Sequence, residues 1–557
     1  MANPKRLCVG LVVLTILIFT VMAKTHATSS SESKIAGTLL EETRDGKWTE
    51  AMVVLQSQAD LRDADRLHGR HDKGRFVHQA LVATARNSQA PLIQWLKQHS
   101  LAYRPHYIVN TIWVRANRDI LQELASRPEV SRIEPNPMVR GVPEDQGSSS
   151  SERDQTTAGV ESGIAYIKAP QVWNLGFTGQ EIVIGGQDTG YQWDHPALKS
   201  QYRGWDGSSV NHNGNWHDAI HANTHGANIC GADASAPCDD HGHGTHTMGT
   251  AIGDDGATNH IGVAPGARWI GCRNMDNGYG TPQSYLECFE FFLAPYPRGG
   301  DPLTQGEPDL GPDVVNNSWY CPGSEGCTDV TVLHAAVAAL LNAGILSVNS
   351  AGNSGSFGTC STIREPPAIY AESYTVGALN TGADSLTIFS SCGPVTIDGS
   401  GRRKPDITAP GTNIRSSVPG GGYGQMSGTS MAAPHVTGAV ALLWSAVPGL
   451  KNDPLATMDR INASAFHLSS TTCGSSGWPN NTFGYGRLDA LAMLQIPGDV
   501  TGDYWLDLAD AVTILQVISG LMPSISGLTA DVNQDGQIGL AEAIYVLQQV
   551  AGVQAVP

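Results

Sequence analysis

Basic side chains are scarce in this chain of 557 residues. Its 34 lysines and arginines are outnumbered by 52 aspartates and glutamates, which gives a formal net charge of −18 at pH 7. Nucleic-acid binding needs basic patches that contact phosphates, so this charge argues against a nucleic-acid partner. Charged residues of both signs make up only 15% of the chain, and hydrophobic residues make up 41%. This composition indicates a globular protein, and the length leaves room for roughly three or four domains.

Long apolar runs are missing beyond the N-terminus. Lys5 and Arg6 precede an apolar run from Leu7 to Ala23, and small residues end it. Residues 1–27 are therefore predicted to be a secretory signal peptide, with an uncleaved membrane anchor as the alternative. No later segment is long and apolar enough to span a bilayer. The sequence predicts an extracellular protein with bacterial-type export and no stable membrane anchor, either free or associated with the cell surface.

Paired zinc-type cysteines are also absent. The chain has 10 cysteines, none in the Cys-x-x-Cys spacing of a zinc site, and nine of them follow the signal peptide. Export makes disulfides chemically accessible. Cys230 and Cys238 bracket one short loop, and Cys321 and Cys327 bracket another, so both pairs are disulfide candidates, although the sequence does not fix the pairing. An odd number leaves one cysteine over, and we expect it to be Cys473.

A serine motif near the C-terminal third stands before an apolar, helix-forming run. Residues 428–435 read Gly-Thr-Ser-Met-Ala-Ala-Pro-His, and residues 436–444 are mostly apolar. The pattern predicts a tight turn with Ser430 at the N-terminus of a helix, where free N–H groups and the helix dipole favour negative charge. That environment suits a nucleophilic serine whose attack creates an oxyanion. Gly-x-Ser before a helix is common in loops, so the motif needs partners.

Two upstream segments supply an acid and a base. The apolar run 181–186 leads to Asp188 and predicts a buried parallel strand that delivers the carboxylate at its C-terminal edge. In the histidine-rich run 240–250, His243 is in register with the small residues that follow. A serine needs a base to become nucleophilic, histidine accepts a proton near neutral pH, and an aspartate fixes its tautomer. The alternative is unrelated residues on a Rossmann-like sheet, or an inactive relative.

The order Asp188, His243, Ser430 is that of the subtilisin class. The motifs Asp-Thr-Gly, His-Gly-Thr-His and Gly-Thr-Ser-Met-Ala-x-Pro resemble those of the subtilisin-like serine proteases, or subtilases. The sequence around these motifs is most similar to the bacillopeptidase F branch of that family. Further matching segments lie at 262–266, 317–319, 389–391 and 404–411. The resemblance covers residues 161–495 and implies an α/β fold, a mostly parallel sheet sandwiched by helices, with serine endopeptidase activity and a monomeric catalytic domain.

The resemblance also implies the residues around the scissile bond. Asn353, after a strand-like run, would donate its amide to the oxyanion. Substrate would lie as an extended strand between two edges, and a third segment would form the side of the first specificity pocket. These implied substrate-binding residues are Gly278, Tyr279, Gly280, Ser318, Trp319, Tyr320, Ser350, Ala351 and Gly352. Many relatives have glycine in place of Tyr320, so the preferred substrate residue is not predicted.

Two rival functions remain open from the sequence. One is a non-catalytic adhesion or scaffold protein that retains an inert protease fold, against which the intact catalytic groups argue. The other is an acid-acting sedolisin-type peptidase. That family replaces the histidine and the asparagine by acidic residues, so His243 and Asn353 argue against it.

The segment before the protease is predicted to be a propeptide. Residues 28–48 are mostly polar and predict a linker. Within residues 48–140 the patterns predict strands at 51–55, 107–114 and 130–134 and helices at 75–99 and 118–126, a small α+β unit of the ferredoxin-like kind. Subtilases carry such a propeptide, which assists folding and blocks the cleft with its tail; an independent binding domain is the alternative. Residues 141–160 predict an exposed linker in which the chain cleaves itself.

A histidine-rich stretch permits two interpretations. His212, His217, His221 and His225 lie within residues 211–228, the last three at four-residue spacing. On a helix those three would share one face and could bind a metal. The many Asn and Gly residues favour a solvated loop instead.

Residues 497–557 contain an internal repeat that predicts two EF-hand-like calcium loops. The second loop, 531–542, has oxygen donors at positions 1, 3, 5 and 12 with Gly536 at the turn. The first loop, 499–510, has Tyr504 at that turn, where a positive φ costs a non-glycine residue about 1–2 kcal/mol, so weaker binding is expected. The predicted Ca²⁺ ligands are Asp499, Thr501, Asp503, Trp505, Asp507, Asp510, Asp531, Asn533, Asp535, Gln537, Gly539 and Glu542.

Each calcium loop leads into a helix, and the pair of loop–helix units resembles a type I dockerin, a small all-α domain. Dockerins bind cohesins, with the choice set largely by loop positions 10 and 11. Those are Leu508-Ala509 and Leu540-Ala541, apolar rather than hydroxyl-bearing. A cohesin-bearing protein is therefore one predicted partner, and a calcium-dependent surface or stability module is the rival interpretation. Such small domains fold only when metal supplements a thin core.

Overall fold

A computed structural model describes residues 32–142, 159–222, 226, 228–331, 333–356, 358–451, 453–521, 530–533 and 535–552. The predicted signal peptide, most of the predicted linker at 141–160, and His225 lie outside these residues. In the described part, no helix has both the length and the apolar character that crossing a bilayer requires.

Residues 32–140 form a small unit in which an antiparallel sheet packs against helices. Its elements are α1 (Gly37–Glu42), β1 (Thr49–Leu55), α2 (Arg70–Gln98), β2 (Tyr103–His106), β3 (Thr111–Ala116), α3 (Arg118–Ser126), β4 (Val130–Pro135) and β5 (Val139–Arg140). The sheet order is β2-β3-β1-β4. The predicted bounds of α3 are confirmed, and Asn117 caps this helix by accepting a hydrogen bond from the Ile120 N–H.

Two predictions for this unit need correction. The predicted strand at 107–114 begins only at Thr111, because residues 107–110 form the turn that joins β2 to β3. The predicted linker at 28–48 is wrong for its described part, residues 32–48. There the Ala36 N–H donates to the Ile133 carbonyl at 3.0 Å, and Leu39 of α1 is fully buried in the core. A few apolar residues within a polar stretch are enough to bind it to the sheet.

A larger α/β unit follows and contains a seven-stranded sheet in the order β16-β15-β14-β13-β7-β10-β8. Every pairing in that sheet is parallel, which confirms the mostly parallel prediction. The strands after β5 are β6 (Gly159–Val160), β7 (Val183–Asp188), β8 (Trp216–Asp218), β9 (Asn259–His260), β10 (Arg268–Arg273), β11 (Met275–Asp276), β12 (Tyr279–Gly280), β13 (Val314–Asn317), β14 (Leu346–Ser350), β15 (Tyr374–Leu379), β16 (Ile407–Pro410), β17 (Ile414–Val418) and β18 (Gly422–Met426).

Helices cover both faces of this sheet. They are α4 (Ser162–Tyr166), α5 (Ala169–Asn174), α6 (His243–Ile252), α7 (Pro282–Leu293), α8 (Pro302–Gln305), α9 (His334–Asn342), α10 (Thr429–Ala446) and α11 (Pro454–Ser464). Successive strand residues point to opposite faces, so Val314 joins the core under α6 and α10 while Val315 joins the core under α7 and α9. The sheet is therefore buried on both sides, as its apolar strands require.

The C-terminal repeat folds into two loop–helix units, with α12 (Leu508–Ile518) and α13 (Leu540–Val550) packed against each other. Their shared core is small and consists of Val500, Ala511, Ile514, Ala530, Ile538, Ala543 and Val546. Other apolar side chains of both helices remain exposed. A core this thin is typical of a domain that relies on a bound ion.

Four disulfides link the described residues: Cys230–Cys238, Cys272–Cys288, Cys321–Cys327 and Cys360–Cys473. Both candidate pairs from the sequence are confirmed. The expectation that Cys473 is left over is wrong, since the buried free thiol is that of Cys392. Cys360 and Cys473 are 113 residues apart in the chain, so their pairing follows from the fold and not from local spacing.

The Cys360–Cys473 bond should contribute more stability than the Cys321–Cys327 bond, because it closes 113 residues of chain instead of 6. We expect Cys360→Ala/Cys473→Ala to lower the free energy of unfolding by about 2–4 kcal/mol, and Cys321→Ala/Cys327→Ala to lower it by less. Urea unfolding followed by circular dichroism, in a Ser430→Ala background that prevents autolysis, measures both. Equal losses would contradict the loop-entropy argument.

Candidate active site

Asp188 and His243 meet at the carboxyl edge of the parallel sheet. Asp188 is the last residue of β7, and His243 is the first residue of α6. The Nδ1 of His243 donates to both carboxylate oxygens of Asp188, at 2.8 and 3.0 Å. Both side chains are buried. Because Nδ1 carries the proton, the other ring nitrogen is left as the acceptor, which is the tautomer that a general base needs.

The structure distinguishes the three histidines of this segment. His246 is fully buried, and its Nε2 donates to the Ile414 carbonyl at 2.9 Å. Burial, with a smaller effect of the His243 charge, lowers the pKa of His246 to about 3, so it stays neutral. His241 is exposed. His243 is thus the histidine of this segment that contacts a buried carboxylate, as its register in the sequence predicted.

Ser430 lies at the start of α10, which packs against α6. Its hydroxyl donates to the Ser318 carbonyl at 3.1 Å, and the Ser318 hydroxyl donates to the Ser430 carbonyl at 2.9 Å. Ser318 directly follows β13, the strand that pairs with β7. These bonds hold Ser430 at the same sheet edge as Asp188. A change of the Ser430 χ1 rotamer would turn its hydroxyl away from the Ser318 carbonyl.

Asn353 follows β14 and turns its side chain toward the start of α10. Its Oδ1 accepts hydrogen bonds from the backbone N–H and the hydroxyl of Thr429, at 2.9 and 2.8 Å. A Cβ atom on Gly428 would lie 3.3 Å from the Asn353 Nδ2. With Oδ1 occupied, the Nδ2 donor lies beside the turn that carries Ser430. This arrangement matches the one expected of an amide that stabilises an oxyanion.

The two predicted substrate edges hold a segment of the chain itself. β5 pairs antiparallel with β12, so Arg140 lies opposite Tyr279. The Gly141 N–H donates to the Gly278 carbonyl at 3.0 Å, and the Tyr320 N–H donates to the Gly141 carbonyl at 3.1 Å. The end of the small unit therefore occupies the cleft as an extended strand. The Trp319 side chain is fully buried and stacks on Tyr285, so it belongs to the core.

The predicted side of the first specificity pocket continues from β14. Ser350 ends that strand, Ala351 is buried, and Gly352 has a φ of +95°. A Cβ on Gly352 would lie 3.9 Å from the Oε2 of Glu365. Glu365 was not among the site residues predicted from the sequence. A carboxylate shortly after the asparagine motif was the available signal, but only the folded loop brings it back to Gly352.

In both predicted calcium loops, the first aspartate accepts hydrogen bonds from backbone N–H groups of its own loop. Asp499 accepts hydrogen bonds from the backbone N–H groups of Gly502 and Tyr504, at 2.6 and 2.9 Å. Asp531 accepts from the Gly536 N–H at 2.7 Å. Tyr504 has a φ of +66° and Gly536 a φ of +81°. The predicted positive φ at Tyr504 is therefore confirmed, and with it the strain that distinguishes the first loop from the second.

The first aspartate of each predicted calcium loop lies in surroundings that are unfavourable for a carboxylate. Burial first, then the charges of Asp510 and Asp503, raise the pKa of Asp499. The Oδ1 of Asp531 is buried and has no hydrogen-bond partner among the described residues. Within the described ranges, no three His, Cys, Asp or Glu side chains are gathered as a metal site. Calcium binding by the predicted ligands thus stays a prediction, which the crowded and unpartnered carboxylates favour.

The histidine-rich stretch fits neither interpretation from the sequence. It is not a helix with a metal face, since residues 216–218 form β8, and it is not simply solvated. The Nε2 atoms of His217 and His221 contact the Glu287 carboxylate at 2.8 and 3.0 Å, and Arg104 of the small unit contacts it at 2.6 Å. His212 bonds to the Tyr202 hydroxyl at 3.0 Å. His217 and His221 therefore share the Glu287 carboxylate with Arg104 where the two units meet, whereas His212 bonds within the larger unit.

Comparison with known proteins agrees with this geometry. The model of the subtilase family matches residues 179–486, more than half of the chain. Bacillopeptidase F of Bacillus subtilis (strain 168) is 35% identical over 447 residues, 78% of this chain and 29% of that protein. Subtilisin of Bacillus pumilus is 31% identical over 313 residues, 56% of this chain and 94% of that protein.

Subtilisin E of Bacillus subtilis (strain 168) is 29% identical over 343 residues, 61% of this chain and 74% of that protein. The chain thus spans less than a third of bacillopeptidase F but most of the two subtilisins. The family match includes the segments that carry Asp188, His243 and Ser430, and the seven-stranded parallel sheet presents them at one edge. The chain therefore belongs to the subtilase family of serine endopeptidases.

Proposed function

We propose that the chain is a secreted endopeptidase that hydrolyses peptide bonds in proteins through Asp188, His243 and Ser430. The observation that carries this proposal is the buried hydrogen bond from the His243 Nδ1 to the Asp188 carboxylate, 2.8 Å long, beside a serine at a helix start. A serine hydroxyl is a poor nucleophile near neutral pH without such a base. Four disulfides in the described part support export to an oxidising compartment.

Each group has one task in the reaction. The Ser430 hydroxyl attacks the substrate carbonyl while the His243 Nε2 takes its proton, and Asp188 stabilises the resulting imidazolium. The Asn353 Nδ2 and the Ser430 backbone N–H hold the oxyanion. The imidazolium then gives its proton to the departing amine, which leaves an acyl-enzyme. Water, deprotonated by His243, releases the second product and restores the serine.

The small unit at residues 32–140, which contains the predicted propeptide at 48–140, is proposed to be inhibitory. Three contacts support this role. Its tail pairs with β12 and with Tyr320, where substrate is expected. Arg104 forms an ion pair with Glu287 of α7, at 2.6 Å. Glu290 of α7 accepts the N–H groups of Tyr107 and Ile108. An independent binding domain does not require that its last residues occupy the cleft. We therefore favour a zymogen that cleaves itself in the linker at 141–160.

Loss of the proposed nucleophile should stop self-cleavage. We expect the purified wild-type chain to lack residues 28–140. The Ser430→Ala variant should lose only the signal peptide, residues 1–27, because it cannot form an acyl-enzyme. Mass spectrometry of purified protein at mildly alkaline pH with calcium measures this.

The matched control for that experiment is Ser445→Ala. Ser445 lies on the same helix, and its hydroxyl accepts from the Gly179 N–H at 3.2 Å, away from the site. Its variant should be processed as the wild type is. An uncleaved wild-type chain, or a cleaved Ser430→Ala chain, would contradict the zymogen proposal.

Removing the Asn353 amide should slow catalysis without weakening substrate binding. We expect Asn353→Leu to lower kcat about 10²–10³-fold with little change in KM, since the amide acts on the oxyanion, which only the reaction creates. Steady-state kinetics with one peptide substrate separates the two constants.

Thr429→Val is the control for the Asn353 measurement. It removes the hydroxyl that donates to the Asn353 Oδ1 at 2.8 Å but keeps the amide donor. A much smaller fall in kcat is expected. If Thr429→Val loses as much, the role of Asn353 is to hold the turn rather than the oxyanion.

Residues 497–557 are proposed to bind Ca²⁺ through the twelve predicted ligands, with the second loop binding more tightly. The unpartnered Oδ1 of Asp531 and the crowding at Asp499 support a cation, which would neutralise these carboxylates and tie the loops together. At the turn of the first loop, Tyr504 is a non-glycine residue with a backbone φ of +66°. The strain at this residue is the proposed reason for weaker binding.

The same domain is proposed to bind a cohesin-bearing protein. Apolar side chains of α12 stay exposed, and each has a counterpart at the same place in α13. The pairs are Leu508 with Leu540, Val512 with Ile544, Leu515 with Leu547, and Ile518 with Val550. A repeated apolar stripe on two packed helices supports a partner that docks there, as in a dockerin, over a module for stability alone.

Relief of backbone strain should strengthen the first calcium loop. We expect Tyr504→Gly to raise the Ca²⁺ affinity of that loop about 5–30-fold, the equivalent of 1–2 kcal/mol. Calorimetric titration of chelator-treated protein measures it, and Glu542→Ala, which should abolish the tighter second site, assigns the two binding steps. An unchanged weaker step in Tyr504→Gly would contradict the strain argument.

A further inference from the structure

An acidic side chain stands at the side of the first specificity pocket. Gly352 belongs to that side, and a Cβ on Gly352 would lie 3.9 Å from the Glu365 Oε2. Tyr320, on the opposite edge of the cleft, is close enough that the Glu365 charge adds to burial in raising its pKa to about 12. Glu365 thus lies between the two segments that would surround the first substrate side chain.

The chain holds Glu365 in place on both sides. Ile363 is fully buried two residues earlier, and Pro366 and Pro367 are buried just after. The disulfide between Cys360 and Cys473 ties the start of the same loop to a distant segment. A carboxylate fixed by its neighbours on a disulfide-linked loop is preorganised, so its charge keeps its position with or without a ligand.

Glu365 has no cationic partner in the part of the chain that the structure describes. No lysine, arginine or histidine there forms an ion pair with it, and the exposed Arg364 instead donates its Nε to the Ser361 carbonyl at 2.8 Å. Burial raises the pKa of Glu365. A hydrogen bond to the Arg364 backbone and the charge of Arg364 lower that pKa, but by less than burial raises it. A half-buried carboxylate without a direct ion-pair contact is costly unless a cation joins it.

We propose that Glu365 makes this endopeptidase select substrates with arginine or lysine on the acyl side of the scissile bond. The inference rests on the proposed function and names its substrate class. A long basic side chain lays its methylene groups along Ala351 and Gly352 and brings its charge to the Glu365 carboxylate. Charge-assisted hydrogen bonds of this kind are stronger than neutral ones, so a neutral side chain of the same shape binds less well.

Paired peptide substrates test the proposal on the wild-type enzyme. The two peptides differ only in arginine or citrulline before the scissile bond, since citrulline has the shape of arginine without its charge. We expect kcat/KM to be about 10–100-fold higher for arginine. A ratio near one, with both peptides cleaved, would overturn the proposal while leaving the endopeptidase function intact. If neither peptide nor a protein such as casein is cleaved, the proposed function itself fails.

Variants assign the preference to Glu365. Glu365→Gln should bring the ratio to within about twofold of one, and Glu365→Asp should keep a preference for arginine. Glu372→Gln is the matched control, because Glu372 lies seven residues on, pairs with His334 at 2.9 Å, and should leave the ratio unchanged. A ratio between two substrates cancels losses of folded enzyme. An unchanged ratio in Glu365→Gln would overturn the assignment.

Acid should weaken the preference in the wild type. A protonated Glu365 has no charge to offer, and its pKa is raised, so the arginine-to-citrulline ratio should fall at a higher pH than an ordinary glutamate would allow. The other ionisable groups that face it are Arg364 and Tyr320, and the raised pKa of Tyr320, about 12, keeps that hydroxyl protonated in this range. Glu365→Gln should show no such fall. A wild-type ratio that stays constant down to pH 4 would contradict the role of the carboxylate.

Discussion

The parallel alignment of β7, β13 and β14 is the constraint on which the rest of the molecule depends. Parallel neighbours end at the same edge, so Asp188, Ser318 and Asn353 come together although long stretches of chain separate them. The helix that carries Ser430 is bonded to that edge through Ser318. Because the sheet is buried on both faces by α6, α7, α9 and α10, this edge is where polar side chains can converge without a desolvation cost to the core.

The same edge explains how the small unit docks. Strand-like residues Val139–Arg140 and Gly141 take up the main-chain hydrogen bonds of the cleft, and charged groups around Glu287 and Glu290 fix the unit against α7. Backbone pairing accepts any sequence, so the bonds that hold this tail can also hold a substrate. Selection must then come from side chains that line the pockets, which is why the unpaired carboxylate of Glu365 has consequences for the choice of substrate.

The C-terminal domain obeys a different constraint. Its buried core consists of only seven side chains, and its two helices leave a repeated apolar stripe exposed to water. Other carboxylates crowd Asp499, and the Asp531 Oδ1 is buried without a hydrogen-bond partner among the described residues, so the proposed cation would relieve both costs. If the proposed calcium and partner binding hold, both act on this one small domain, whereas the protease unit has its own core and its own disulfides.

The sequence by itself determined what depends on neighbouring residues: the parallel sheet, the bounds of α3, two short-loop disulfides, the positive φ of Tyr504, and the segments that carry Asp188 and His243. Tertiary structure decided what depends on distance through space. It paired Cys473 with Cys360, drew residues 32–47 into the small unit, turned His217 and His221 toward Glu287, and brought Glu365 beside Gly352. Periodicity and turn chemistry act over a few residues, while these contacts join segments whose meeting no local pattern encodes.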